Sequence, residues 1–199
     1  MSVAELTIPQ ASRAPGRDVR RSLLITGLLL MAATIPPPVW STAPLADEEA
    51  AAHVQRFVGY IEWPAHAFAS PSSAIVVGVA GTDQTLTSLA RAVVGQRVQG
   101  RPLDVRRLDK PSQLANVHLI YVGRDAWKDL KDWALASRQK GVVLATNAPD
   151  GIARGAVLGL VQSEQRTRFA ASVPAATEVG VKLSARLLEV AESVVGGDK

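Results

Sequence analysis

The sequence predicts an α/β fold: a three-layer mixed, mainly parallel sheet flanked by helices, ending in a C-terminal β-hairpin and a long final helix. Three observations predict it. The runs AIVVGVAG (74–81), VHLIYVG (117–123) and VVLAT (142–146) are short, continuously apolar and bounded by turn residues, so they read as strands covered on both faces. Segments of helical spacing lie between them, which is the alternation of a parallel sheet. After Asn147 the alternation stops, and Ala156–Val161 and Thr167–Ser172 flank SEQR as a hairpin.

The N-terminal stretch precedes this pattern. Arg17, Arg20 and Arg21 are followed by an apolar run from Leu23 to Ile35, the layout of a secretory signal. The paired Arg20-Arg21 also resembles a twin-arginine signal. A helix over Ser22–Ile35 is about 21 Å long at 1.5 Å per residue, short of the ~30 Å hydrocarbon core. An uncleaved short anchor is the competing reading. Pro36, Pro37 and Pro38 break that helix. Residues 1–46 are therefore expected to be a signal peptide and Pro-rich linker, and residues 47–199 one domain. The first segment holds four of the 22 Lys and Arg and two of the 18 acids, which leaves the domain at +2. That balance gives no reason to expect nucleic-acid binding. The chain has no cysteine, so an exported form depends on packing alone. A domain of roughly 150 residues, burying about 68–70% of its unfolded surface, allows that.

The first helix is predicted over DEEAAAHVQRFVGYIEW, with Asp47 as cap and Glu48 and Glu49 in the first turn, where the helix dipole favours negative charge. Val54, Phe57, Val58 and Ile61 form one apolar stripe, and Pro64 pushes Trp63 out of the helical region. Asp83–Val94 reads as a second helix with Leu86, Leu89, Ala90 and Val93 inward. RPLDVRRL (101–108) alternates as a strand with one wet face. Asp125 opens a helix that runs to Arg138, and Gly141 ends the segment. Pro174–Val194 reads as one long helix whose core stripe is Val179, Leu183, Leu187, Val190 and Val194.

No catalytic constellation is legible. P-loop, G-x-G-x-x-G, H-E-x-x-H and G-x-S-x-G patterns are absent. Gly78-Val79-Ala80-Gly81 lacks the third glycine of a dinucleotide site and reads as a tight strand-to-helix turn. Of the three histidines, His53, His66 and His118, none has a His or Cys at ligand spacing, and His118 reads as a satisfied core or edge histidine. Asp104, Asp109 and Glu164 form no readable carboxylate pair. The basic run Arg97, Arg101, Arg106, Arg107, Lys110 reads as a solvated strand end, because Arg106 and Arg107 point to opposite faces. Nothing calls for a cofactor or a metal. In YIEWPAHAF (60–68), Trp63 and Phe68 either cover the end of the core or leave Trp63 partly exposed as a contact anchor.

The order FVGYIEWPAHAF, IVVGVAG, VGQRVQGRPLDVRRL, HLIYVG, GVVLATN and RFAASVPAATEVGVKLSARLLEVA resembles the YfiR-like family over residues 47–195. The aromatic-acid-Trp-Pro motif and the S-x-R-L-L-x-x-A ending are the most specific parts. The resemblance implies a periplasmic, non-enzymatic brake. Such a protein represses a membrane-bound diguanylate cyclase by binding its periplasmic sensor domain, which lowers cyclic di-GMP and biofilm formation. A sensor kinase is another possible receptor, since similar domains occur fused to other sensors. The resemblance also implies titration by an outer-membrane lipoprotein, and homodimers. Partner contacts are expected at Glu62 and Trp63 after the first helix, and at Leu160 and Arg168 on the hairpin. The sequence departs from the best-known members in lacking the cysteines of their disulfides, and in reading AVLGLV where a more polar strand is usual. The alternative is a periplasmic small-ligand sensor with its site in the loops after Val79, Val122 and Ala145, at the carboxyl ends of the strands.

Overall fold

The computed structural model describes residues 47–81, 83–163 and 166–197. The segment read as signal and linker lies outside the described residues, as do Glu164 and the side chain of Asp47. Among the described residues no helix is long and apolar enough to cross a membrane.

The first helix, α1, spans Asp47–Tyr60. Its stripe buries Ala50, Val54, Phe57 and Val58 as the spacing predicts. It ends three residues earlier than expected. Ile61–Glu62 peels away as a short strand, β1, which pairs antiparallel with Lys182–Leu183. Ile61 is nevertheless fully buried, so its helical spacing carried a true burial signal with the wrong backbone.

Next come β2 (Ile75–Ala80), α2 (Asp83–Val93), the short β3 (Arg97–Val98) and β4 (Arg101–Arg107). On α2 the inward residues are Thr85, Leu86, Leu89 and Val93, while Ala90 is exposed. After β5 (Leu119–Val122) the chain enters a 3-10 helix over Arg124–Asp129 before α3 (Leu130–Lys140). The helix expected from Asp125 thus begins with a tighter turn. Gly141, at φ 67°, closes α3 in the left-handed conformation. β6 (Val143–Thr146), β7 (Leu158–Ser163) and β8 (Arg166–Ser172) follow, and the last two make the predicted hairpin.

The stretch predicted as one long helix is divided. It contains α4 (Val173–Glu178), β9 (Lys182–Leu183), α5 (Ala185–Glu189) and β10 (Ser193–Val195). Ser172 and Ser184 each cap a new start, their hydroxyls accepting from Ala175 N–H at 3.2 Å and Leu187 N–H at 3.3 Å. Gly180, at φ 76°, stops α4. Val190, read as core, is 67% exposed.

The main sheet has the order β10-β8-β7-β6-β5-β2-β4-β3. From β4 to β7 every pairing is parallel; the antiparallel pairings are β7 with β8 and β3 with β4. The two-residue side-chain period of β2 sorts the layers. Ile75, Val77 and Val79 join the core under α1 and α2. Val76 and Ala80 join a second core with Leu130 and Trp133 of α3. Each fully buried Val, Leu, Ile or Phe in these layers contributes about 1.5–3 kcal/mol.

Candidate functional site

The YIEWPAHAF corner folds around His118. Val76 N–H donates to His118 Nδ1 at 3.0 Å, and His118 Nε2 lies 3.1 Å from the carbonyl of Ala67. Since Nδ1 accepts, Nε2 carries the proton and donates. Both ring nitrogens are thereby used, and the residue is only 7% exposed. Burial above all, helped by the charges of Arg101 and Arg106, holds its pKa below the usual histidine range, against the contrary pull of the Ala67 carbonyl. His118 is a clasp between β2, β5 and the turn at Ala67, with no free lone pair for chemistry.

Aromatic rings complete the clasp. Phe68 stacks on His118 at 4.7 Å, and Trp63 meets both rings edge-on at 6.5 and 6.2 Å. The Arg101 guanidinium lies 3.6 Å over the Phe68 ring and donates to the carbonyls of Ser70 and Ser73. Trp63 is half-buried, and its Nε1 has no hydrogen-bond partner among the described residues. A cleft of about 270 Å³ runs past Trp63, His66, Asn116 and Lys140.

A larger groove, about 590 Å³, opens between α1, β8 and α5. Its floor is the buried Phe57, Phe169 and Leu187, with Phe57 and Phe169 edge-to-face at 5.0 Å. Its rim carries Arg56, Arg166 and Arg168, together with Tyr60 and Val190, which are 40% and 67% exposed. Arg168 pairs with Glu192 at 3.0 Å; Arg56 and Arg166 have no ion-pair partner among the described residues. His53 lies on the α1 side. Its pKa is lowered, chiefly by burial and then by Arg56, against Glu49. Glu192 compensates Arg168, so Arg56 and Arg166 carry the cationic side of the groove.

The four residues expected to contact a partner do not converge. Arg168 lines the large groove, while Trp63 lines the small cleft. Glu62 is exposed on β1, opposite Lys182. Leu160 is 4% exposed, in the core beneath the hairpin and opposite Phe169. Sequence reading missed Arg56, Tyr60 and Arg166. The signal for Arg56 was a charge flanking the buried stripe of α1, ordinary for an amphipathic helix until β8 is seen beside it. The basic run at 97–110 finds local partners, as a solvated strand end should. Arg106 pairs with Asp104, and Arg107 with Asp83 and Asp109.

The carboxyl ends of β2, β5 and β6, where a small ligand was the alternative expectation, are tied to one another. A Cβ on Gly81, at φ 85°, would lie 2.5 Å from the backbone nitrogen of Ala126. The Thr146 hydroxyl donates to the Val122 carbonyl at 2.7 Å and accepts from Ala148 N–H at 3.1 Å. The turn after β5 therefore packs into the space between β2 and β5. Among the described residues, no group of three His, Cys, Asp or Glu is placed to hold a metal ion.

A sequence profile described as YfiR/HmsC-like matches residues 48–192. Among curated proteins none matches significantly. Among solved structures, the chain is similar to a conserved domain protein from Vibrio cholerae O1 biovar eltor str. N16961. The identity is 14% and the TM-score 0.50, over 74% of this chain. The chain spans 60% of that structure's length, and at this identity the likeness concerns the fold.

Proposed function

The chain belongs to the YfiR/HmsC-like family, and from that premise we propose that it is an exported regulatory binding protein. It represses a membrane-bound signalling enzyme, a diguanylate cyclase, by binding that enzyme's periplasmic domain. Cyclic di-GMP and biofilm formation fall as a result. Residues 1–46 supply the export signal and linker, and residues 47–199 the regulatory domain. An outer-membrane lipoprotein competes for the repressor, and a homodimer is the working form. The protein acts by contact and makes or breaks no bond.

The observation that carries this reading is the family match across 48–192, nearly all of the α/β domain. The site chemistry is compatible with it. His118 is committed to two structural hydrogen bonds, and the large groove presents apolar surface rimmed by arginines. Within the proposed contact set, Glu62, Trp63 and Arg168 offer solvent-facing atoms. Leu160 acts from below, by holding the hairpin against Phe169.

Deletion of the gene tests the reading in cells. Intracellular cyclic di-GMP is expected to rise several-fold and to return to its starting level on complementation with the full chain. An unchanged level, with no membrane enzyme retained by the tagged protein, contradicts the proposal. Retention of a sensor kinase in place of a cyclase would keep contact regulation and replace the receptor.

A further inference from the structure

The sheet's outer border is only partly covered. β10 pairs with Ala170–Ser172 of β8, and the Glu192 N–H reaches the Phe169 carbonyl at 2.8 Å. Among the described residues, no strand pairs with that border from Arg166 to Arg168. Backbone alternation shows which groups are left. The Ser172 N–H points inward to the Val157 carbonyl, whereas the Phe169 carbonyl points outward to Glu192. Thr167, two residues before Phe169, therefore turns its N–H and C=O outward, and the Phe169 N–H faces the same way. The large groove lies along this stretch, with Phe57, Leu187 and Val190 beside it.

An open sheet edge is a template for an added strand. Here the charge selects the strand. On the α1 side Arg56 is offset by Glu49, whose carboxylate accepts from the Thr167 hydroxyl. Arg166 and Arg168 alternate with Thr167 and Phe169 along β8, so they belong to the other face of the sheet; Glu192 holds Arg168 there, which leaves Arg166 as the cation for an incoming carboxylate. An incoming strand that lays its apolar side chains against the α1 side sends the alternating ones to the face of Arg166. A second copy presenting the same edge would oppose arginine to arginine. The linker 36–46, PPPVWSTAPLA, has no acid to offer and contains four prolines that cannot donate to a ladder.

We propose that the outer edge of β8 at Arg166–Phe169 accepts an extended acidic segment of a partner protein as an added strand, with alternating apolar side chains against Phe57, Leu187 and Val190. The pairing covers Arg166–Arg168, three residues and about 10 Å of edge, and reaches the Phe169 N–H, while the Phe169 carbonyl stays with Glu192. Backbone hydrogen bonds provide the docking, and guanidinium–carboxylate pairs provide the selectivity. This inference rests on the proposed function for its partner, a receptor's outer domain, and adds the chemistry of the segment that docks.

The test uses the full chain and three fluorescent peptides: one alternating Glu and Val, one alternating Lys and Val, and the Glu-Val peptide N-methylated at alternate amides. Anisotropy is expected to show saturable binding of the first and at least tenfold weaker binding of the other two. Arg166→Glu should weaken the Glu-Val complex at least tenfold with an unchanged far-ultraviolet spectrum. Thr167→Pro, which removes one outward N–H, should do the same. No binding of the Glu-Val peptide overturns the proposal. So does binding that survives N-methylation, or self-association that disappears in the Arg166→Glu variant. Should the Arg166→Glu variant still bind a receptor domain that the wild-type protein binds, this inference fails while the regulatory reading stands. Should the wild type bind the peptide but no receptor, the reverse holds.

Discussion

His118 illustrates how a residue type that suggests catalysis can be consumed by structure. Its two ring nitrogens join the backbone of Val76 to that of Ala67, under Phe68 and Trp63. Replacing it by leucine strands an N–H and a carbonyl and should cost about 2–6 kcal/mol in denaturant unfolding, about 1–3 per orphaned group. The same residue sets a pH dependence. Its folded pKa is lowered, chiefly by burial, so the neutral ring is the one the fold accepts. Above the unfolded value of about 6.5, both states are neutral and the full stability is present. Below it the unfolded chain takes up a proton that the fold refuses, and stability falls with pH. His53, also lowered, acts in the same direction. The melting temperature should therefore drop from pH 7 to pH 5, and the His118→Leu variant should lose part of that slope; an equal slope in both proteins would assign it to other groups. Trp63→Phe removes an unpartnered N–H and should change stability by less than about 1 kcal/mol, which leaves the variant free to report on partner binding.

At the scale of elements, the Val-rich strands were readable because a central parallel strand is covered on both faces and needs no partner-specific information. The pattern after Val173 was less readable for the opposite reason. Val179, Leu183 and Leu187 keep helical spacing, yet β9 exists only because β1 pairs with it, and β10 only because β8 does. The local signals that divide the segment, Gly180 and Ser184, are single residues inside a strong apolar periodicity. Ser184→Ala should remove the cap of α5 at a cost of about 1 kcal/mol, read as a lower denaturant midpoint with an unchanged slope. Gly81→Ala tests the closed end of the β2–β5 junction. It imposes a left-handed φ on alanine and drives a methyl against Ala126, so it should cost about 2 kcal/mol or more. A near-neutral result would mean that the turn after β5 gives way easily.

Across residues 47–197 two cores meet on the two faces of the eight-stranded sheet, and this much followed from periodicity. The candidate site did not, because it is assembled from elements far apart in the chain. Arg56 and Tyr60 come from α1, Arg166 and Arg168 from β8, and Val190 from the turn after α5. Each alone reads as a solvated surface residue. Only the partial cover of β8 by β10 makes them neighbours along an open edge. The family resemblance supplied what periodicity lacked, an expectation of regulation by contact, while of the expected contact residues Arg168 lines one cleft, Trp63 another, and Glu62 and Leu160 neither. The most direct measurement is cyclase activity in membranes carrying a full-length diguanylate cyclase whose outer domain the protein retains, followed as purified protein is titrated onto the periplasmic face. The account predicts that cyclic di-GMP synthesis from GTP falls to a low plateau as the outer domain saturates. Synthesis unchanged at saturation would contradict it.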